Sequence, residues 1–116
     1  MKNYALDYSV LLEKVLNERN KYTGFKYEID VEQGRKFDRL VISHNYGDPK
    51  RKDRGRSVHA FVERATGLLI KDAGWKAPAK RADGSWQSKF DLSVPSEMAE
   101  ALAVADPYGG YLYLRR

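Results

Sequence analysis

The chain contains no cysteine, so it has neither a disulfide framework nor a thiolate to react or to hold a soft metal, and a reducing cytoplasm is its expected setting. It has only two histidines, His44 and His59. Any metal centre would therefore have to recruit a carboxylate as a third ligand. No apolar run approaches the roughly 18 residues of a membrane span, and Asp7 interrupts the opening MKNYALDYSV, so neither a membrane segment nor a signal-peptide core is expected. A dense acidic surface is missing too, which excludes a mimic of DNA. Catalytic signatures are equally scarce. No pair of carboxylates is set in apolar surroundings that would raise a pKa, Ser43, Ser57 and Ser85 lack a nucleophile-elbow context, and no glycine-rich phosphate loop occurs. The reading is of a protein that is not an enzyme and needs no cofactor.

What is present is an ordinary globular composition. The 116 residues are 42% hydrophobic and 32% charged, too apolar for disorder and sized for a single domain over residues 1–116 with one core. Lysine and arginine number 21 against 16 acids, a formal charge of +5. The excess is clustered. Residues 50–56 read KRKDRGR, with Lys50, Arg51, Lys52, Arg54 and Arg56 around a single Asp53; Lys76, Lys80 and Arg81 form a second group, and the chain ends Arg115, Arg116. Clustered cations attract phosphates; a basic chain is also simply kept in solution by its charge.

Residues 4–19 read as a helix, with Tyr4, Tyr8, Leu11, Leu12, Val15 and Leu16 at helical spacing and Asn3 as N-cap. From Phe25 to Val31 apolar and charged residues alternate, the signature of a strand with one buried face. Residues 37–46 and 57–64 are further strands around the loop GDPKRKDRGR, and Ala65, Thr66 and Gly67 turn the third strand into a fourth over 68–73. Residues 74–87 are an ordered loop with a turn at Ala82, Asp83, Gly84 and Ser85. Pro95 opens a second helix carrying Met98, Ala101, Leu102 and Ala105 on one face, and Asp106 with Pro107 stops it. The tail, with Leu112 and Leu114 between Tyr111 and Tyr113, is suited to close the sheet as a last strand. The expected fold is α+β: an antiparallel sheet of about four to five strands, an N-terminal helix and a short C-terminal helix.

Three constellations bear on function. Symmetric pairing of strands 37–46 and 57–64 would set His44 opposite His59 and Ile42 opposite Phe61, close enough to share a proton or, with Asp48, a metal. A slip of one residue separates the rings, and the reading taken is of structural histidines without a metal. In GWKAPAKR, residues 74–81, Trp75 offers a flat surface and Lys76, Lys80 and Arg81 offer charge, the ingredients of a site for bases and phosphates. The same residues also fit a tryptophan buried under the loop with solvated lysines. The tail tyrosines Tyr108, Tyr111 and Tyr113 form an aromatic face or a half-buried edge strand, and Gly109 with Gly110 allows a sharp bend.

Phe61, Thr66, Gly67, Ile70, Lys71, Trp75, Lys76, Ala77, Pro78 and Ala79, followed by Tyr108, Gly109 and Tyr111, resemble a pattern in small tailed-bacteriophage proteins without assigned activity: an aromatic hairpin with a Thr-Gly turn, a Trp-Lys-Ala-Pro loop and a Tyr-Gly-rich end. The resemblance covers about the second half of the chain. It implies phage origin and a host bacterial cytoplasm, and suggests modulation of host polymerases, nucleases or defence, without importing catalytic residues. The leading expectation is a small phage-type binding protein for nucleic acid or a nucleotide-like anion. Lys50, Arg51, Lys52, Arg54 and Arg56 would form a cationic loop, with Lys76, Lys80 and Arg81 meeting phosphate near Trp75 and Trp86. The alternative is a non-catalytic inhibitor or adaptor docking on a host bacterial protein through Trp75, Trp86 and Tyr108.

Overall fold

A computed structural model describes residues 3–19, 26–45, 56–107 and 109–112. The elements are α1 (Tyr4–Arg19), β1 (Lys26–Gln33), β2 (Phe37–Asn45), β3 (Ser57–Glu63), β4 (Leu68–Ile70), β5 (Ser88–Asp91), α2 (Pro95–Val104) and a 3-10 turn (Gly110–Leu112). The five strands form one sheet in the order β1-β2-β3-β4-β5, every pair antiparallel, so the α+β class and meander are as the sequence predicts.

Helix α1 begins where Asn3 accepts a hydrogen bond from the Leu6 amide on its side-chain oxygen, 3.0 Å, satisfying a donor the helix cannot. Its stripe buries Ala5, Tyr8, Leu12 and Leu16 against the sheet, while Leu11 lies at the margin, 40% exposed. The sheet answers with Tyr27, Leu40, Ile42, Ala60, Val62, Leu69 and Phe90, and Ala101, Ala105, Tyr111 and Leu112 complete this core. Side chains of α1 also clamp the outermost strand. Asn17 both accepts from the Tyr27 amide and donates to its carbonyl, and Glu13 accepts from the Ile29 amide. At the far end of α1, Arg19 donates to the carbonyls of Leu102, Ala103 and Ala105, supplying α2 with the C-terminal cation that its own last turn lacks.

The register departs from the symmetric expectation. Arg39 pairs with Phe61, Leu40 with Ala60, Val41 with Val58 and Ile42 with Ser57, while His44 lies opposite Tyr27 on β1. A bulge at Leu40/Val41 leaves His59 without a partner on β2. His44 and His59 are therefore not cross-strand neighbours, nor are Ile42 and Phe61. Among the described residues the register runs from Phe37 to Ile42 of β2, and the bulge moves the partner of each residue beyond it by one position. Asp48 lies outside the described residues, and among them no cluster of metal-ligating side chains occurs.

The fifth strand is also placed differently: β5 spans Ser88–Asp91, and Tyr111 and Leu112 sit in the 3-10 turn instead of a strand. Asp106 explains this. Its carboxylate accepts the amides of Gly110 and Tyr111, the donors a ladder would need, and Gly109 at φ +77° lets the backbone approach β3 so closely that a Cβ there would meet the His59 carbonyl at 3.0 Å. Residues 113–116 lie outside the described part.

Leu11 and Leu12 are adjacent members of the same sequence stripe but differ fully in burial, and this is testable. Leu12→Ala is expected to cost about 2–5 kcal/mol in denaturant unfolding and Leu11→Ala under about 1 kcal/mol.

Candidate functional site

Val41, Phe61, Ile70 and Ala79 are buried yet belong to no part of the helix-side core, so the sheet has a second covered face. Its cover is the segment between β4 and β5. The chain leaves Lys71, makes one tight excursion closed by a bridge between Asp72 and Pro78, returns through Ala79, and makes a second closed by a bridge between Lys80 and Trp86. Three backbone bonds join the crossing point: Ala79 to the Lys71 carbonyl, Gln87 to the Ala79 carbonyl and Lys71 to the Gln87 carbonyl. Each excursion carries its own turn chemistry. Asp72 accepts the Gly74 amide, and Asp83 accepts both the amide and the hydroxyl of Ser85. The sequence-predicted turn over residues 82–85 is thus the tip of the second lobe.

The first lobe holds Trp75 outward. The indole is 42% exposed and is not a core plug. Arg39, reaching from β2, lies with its guanidinium carbon 5.1 Å from the Trp75 ring centre and 5.8 Å from that of Phe61. Arg56, just before β3, stands 5.8 Å from the same indole. Glu32, directly across from Arg39 in the β1–β2 register, ties the two arginines: its Oε1 accepts from Arg39 at 2.7 Å, and its Oε2 is 3.5 Å from Arg56. The second lobe is different. Trp86 is half-buried, edge-on to Phe37 with centroids 5.0 Å apart, and Lys80 lies over it at 5.0 Å.

Of the predicted residues, Arg56 is brought to Trp75 and Lys80 to Trp86; Lys76 and Arg81 are exposed on the two lobes. Lys50, Arg51, Lys52 and Arg54 lie outside the described residues, as does Tyr108. Sequence reading missed Arg39 and Glu32. Arg39 was visible as a polar member of a strand and Glu32 as the residue after one, but nothing in either segment alone says that they face each other beneath a tryptophan more than thirty positions away.

A second polar cluster lies on the helix side. Two consecutive residues, His59 and Ala60, turn toward the helices at the bulge. The His59 ring is 1% exposed, with Nδ1 3.3 Å from the Pro107 carbonyl and Nε2 2.7 Å from the Tyr111 hydroxyl, which in turn is 2.7 Å from the Tyr8 hydroxyl. Burial holds the imidazole below its usual pKa, outweighing the Pro107 bond and the Asp106 and Asp72 carboxylates that favour the charged form. A neutral ring fits one proton per gap: His59 donates from Nδ1 to Pro107, Tyr111 donates to Nε2, and Tyr8 donates to Tyr111. Burial likewise raises both phenols. The chain of bonds is closed off from water, so its chemistry is to lock β3, α1 and the 3-10 turn together.

Residues 2–114 match the sequence profile of DUF7717, a family of unknown function. The chain belongs to that family. No curated protein and no solved structure matches it. The match spans both clusters of the DUF7717 chain, the outward indole with its two arginines and the buried histidine with its two tyrosines. No described helix is long and apolar enough to cross a membrane.

The buried histidine gives a pH dependence with a fixed sign. Unfolded His59 takes up a proton as pH falls through about 6.5, whereas the folded ring resists it, so its stabilising contribution is complete above that pH and is lost below it. Unfolding free energy is expected to fall between pH 6.5 and 5, at up to about 1.4 kcal/mol per pH unit. His59→Asn, measured by urea titration across the same range, is expected to flatten that slope.

Proposed function

We propose that this DUF7717 chain is a small, non-catalytic binding protein of phage type that engages single-stranded nucleic acid or a nucleotide-like anion, working in a host bacterial cytoplasm. The observation that carries the reading is the exposed Trp75 indole with the guanidinium groups of Arg39 and Arg56 against it. An indole and a guanidinium plane both offer flat surfaces to a base, and each arginine offers a fork to phosphate. Arg56 closes the basic sequence stretch that also holds Lys50, Arg51, Lys52 and Arg54, the further cations this reading assigns to phosphate. Lys76 beside the indole, and Lys80 and Arg81 on the second lobe, extend the charge along the same segment. The resemblance to small phage proteins supports the setting.

The adaptor reading draws less support. It needs Trp75, Trp86 and Tyr108 as anchors for a host protein, and Trp86 is already engaged by Phe37 and Lys80.

Titration of the protein into dye-labelled short oligothymidylate, followed by fluorescence anisotropy, tests the proposal. Binding should weaken with salt by about 0.7 log units per phosphate neutralised per decade of salt. Trp75→Ala, its fold checked by circular dichroism, should cost about 1–3 kcal/mol of affinity. Changing Lys50, Arg51 and Lys52 together to Ala should abolish nucleic-acid binding, whereas an adaptor would lose only association rate toward an acidic partner. Failure of oligonucleotides, duplexes and cyclic dinucleotides alike to bind at low salt would overturn the reading.

A further inference from the structure

We propose that Arg39 and Arg56 form a seat for one phosphodiester group beside Trp75, and that the Glu32 carboxylate occupies this seat in the free protein as a built-in competitor. The inference rests on the reading above and specifies how its site is regulated.

The geometry is that of an anion shared between two cations. Each Glu32 oxygen faces a different guanidinium, Oε1 at 2.7 Å from Arg39 and Oε2 at 3.5 Å from Arg56. The two non-bridging oxygens of a phosphodiester present the same paired acceptors. The arginines are held for this purpose by different means. Arg39 is anchored on the sheet between the Phe61 and Trp75 rings and is only 26% exposed, while Arg56, 40% exposed, comes from the end of the basic stretch.

Glu32 does not exhaust what Arg39 has to offer. The buried Nε of Arg39 has no hydrogen-bond partner, so the carboxylate satisfies this guanidinium through one terminal nitrogen and leaves a buried donor unmet. Glu32 itself stands open to water, with a side chain 40% exposed on the outermost strand. An ion pair that open to water is weak, and the carboxylate can swing into solvent when a phosphate arrives. A lone carboxylate or a free inorganic anion gains little by this exchange. A nucleotide gains more, because its base then reaches the exposed part of the indole next to the seat. Glu32 thus raises the threshold against small anions and favours ligands that bring a ring with the charge.

The test compares Glu32→Gln with Glu18→Gln, which removes the same charge from an exposed position on α1, across the sheet from the seat. Affinity for dye-labelled short oligothymidylate is measured by fluorescence anisotropy and for inorganic phosphate by calorimetry. Glu32→Gln is expected to tighten oligothymidylate about tenfold and to bring phosphate binding into the measurable range, whereas Glu18→Gln should change either by less than about threefold. Adding Arg39→Lys to Glu32→Gln should remove the gain, because an ammonium cannot supply the fork. Equal gains from both glutamate variants would reduce the effect to net charge and overturn the seat. If Glu32→Gln leaves affinity unchanged while Trp75→Ala still weakens it, the competitor is refuted and the binding reading stands. If no variant binds at any salt concentration, both fall.

Discussion

Leu40, Val41 and Ile42 are three consecutive residues in the second strand of the sheet, and all three are sealed from water. Successive side chains of a strand point to opposite faces, so this run requires a cover on each side. The two helices supply one. On the other side no helix lies among the described residues, and the cover there is residues 71–87, a doubly folded segment with little regular structure. Trp75 is outside because it rides on the tip of that cover, and Arg39 is beneath it because position 39 shares the parity of Val41. The location of the outward indole is thus a consequence of burying three aliphatic residues in a row.

Much of this was readable from local chemistry. Helix α1 was legible to the residue because Asn3 caps it and its apolar residues keep one period, and Pro95 opens α2 as its fixed φ suggests. The alternation from Phe25 to Val31 marked β1, and Thr66 with Gly67 marked the hairpin between β3 and β4. Two kinds of information were not local. The register of β2 against β3 depends on a bulge at His59, and a bulge leaves no mark in a pattern of period two. The tail alternates like a strand, yet nearby Asp106 intercepts its amides, and His59, which only folding brings near, captures its tyrosine. Of the site, the tryptophan, Arg56 and the cations could be named from sequence, whereas Arg39 and Glu32 needed the register.

The two polar clusters illustrate how the same residue types serve opposite ends. Around Trp75 the charges are half-exposed, one acid shared by two bases, and the arrangement can change partners at little expense. Around His59 the groups are neutral, buried and joined in series, so each bond fixes the direction of the next. One cluster is a surface that can exchange its occupant; the other is a bolt running from the first helix through the 3-10 turn into the middle strand.

The side-chain clamp on the first strand has its own consequence. A sheet with open flanks invites another chain to add a strand, the step from which domain swapping and fibril growth begin. Here Asn17 and Glu13 hold the main-chain groups of Tyr27 and the amide of Ile29, and at the opposite flank Glu97 from the second helix holds the amide of Asp91. A foreign strand would have to strip helix side chains from the ladder at both sides before it could zip on. At Tyr27, Ile29 and Asp91 the outer main-chain groups are therefore withheld from templated strand addition.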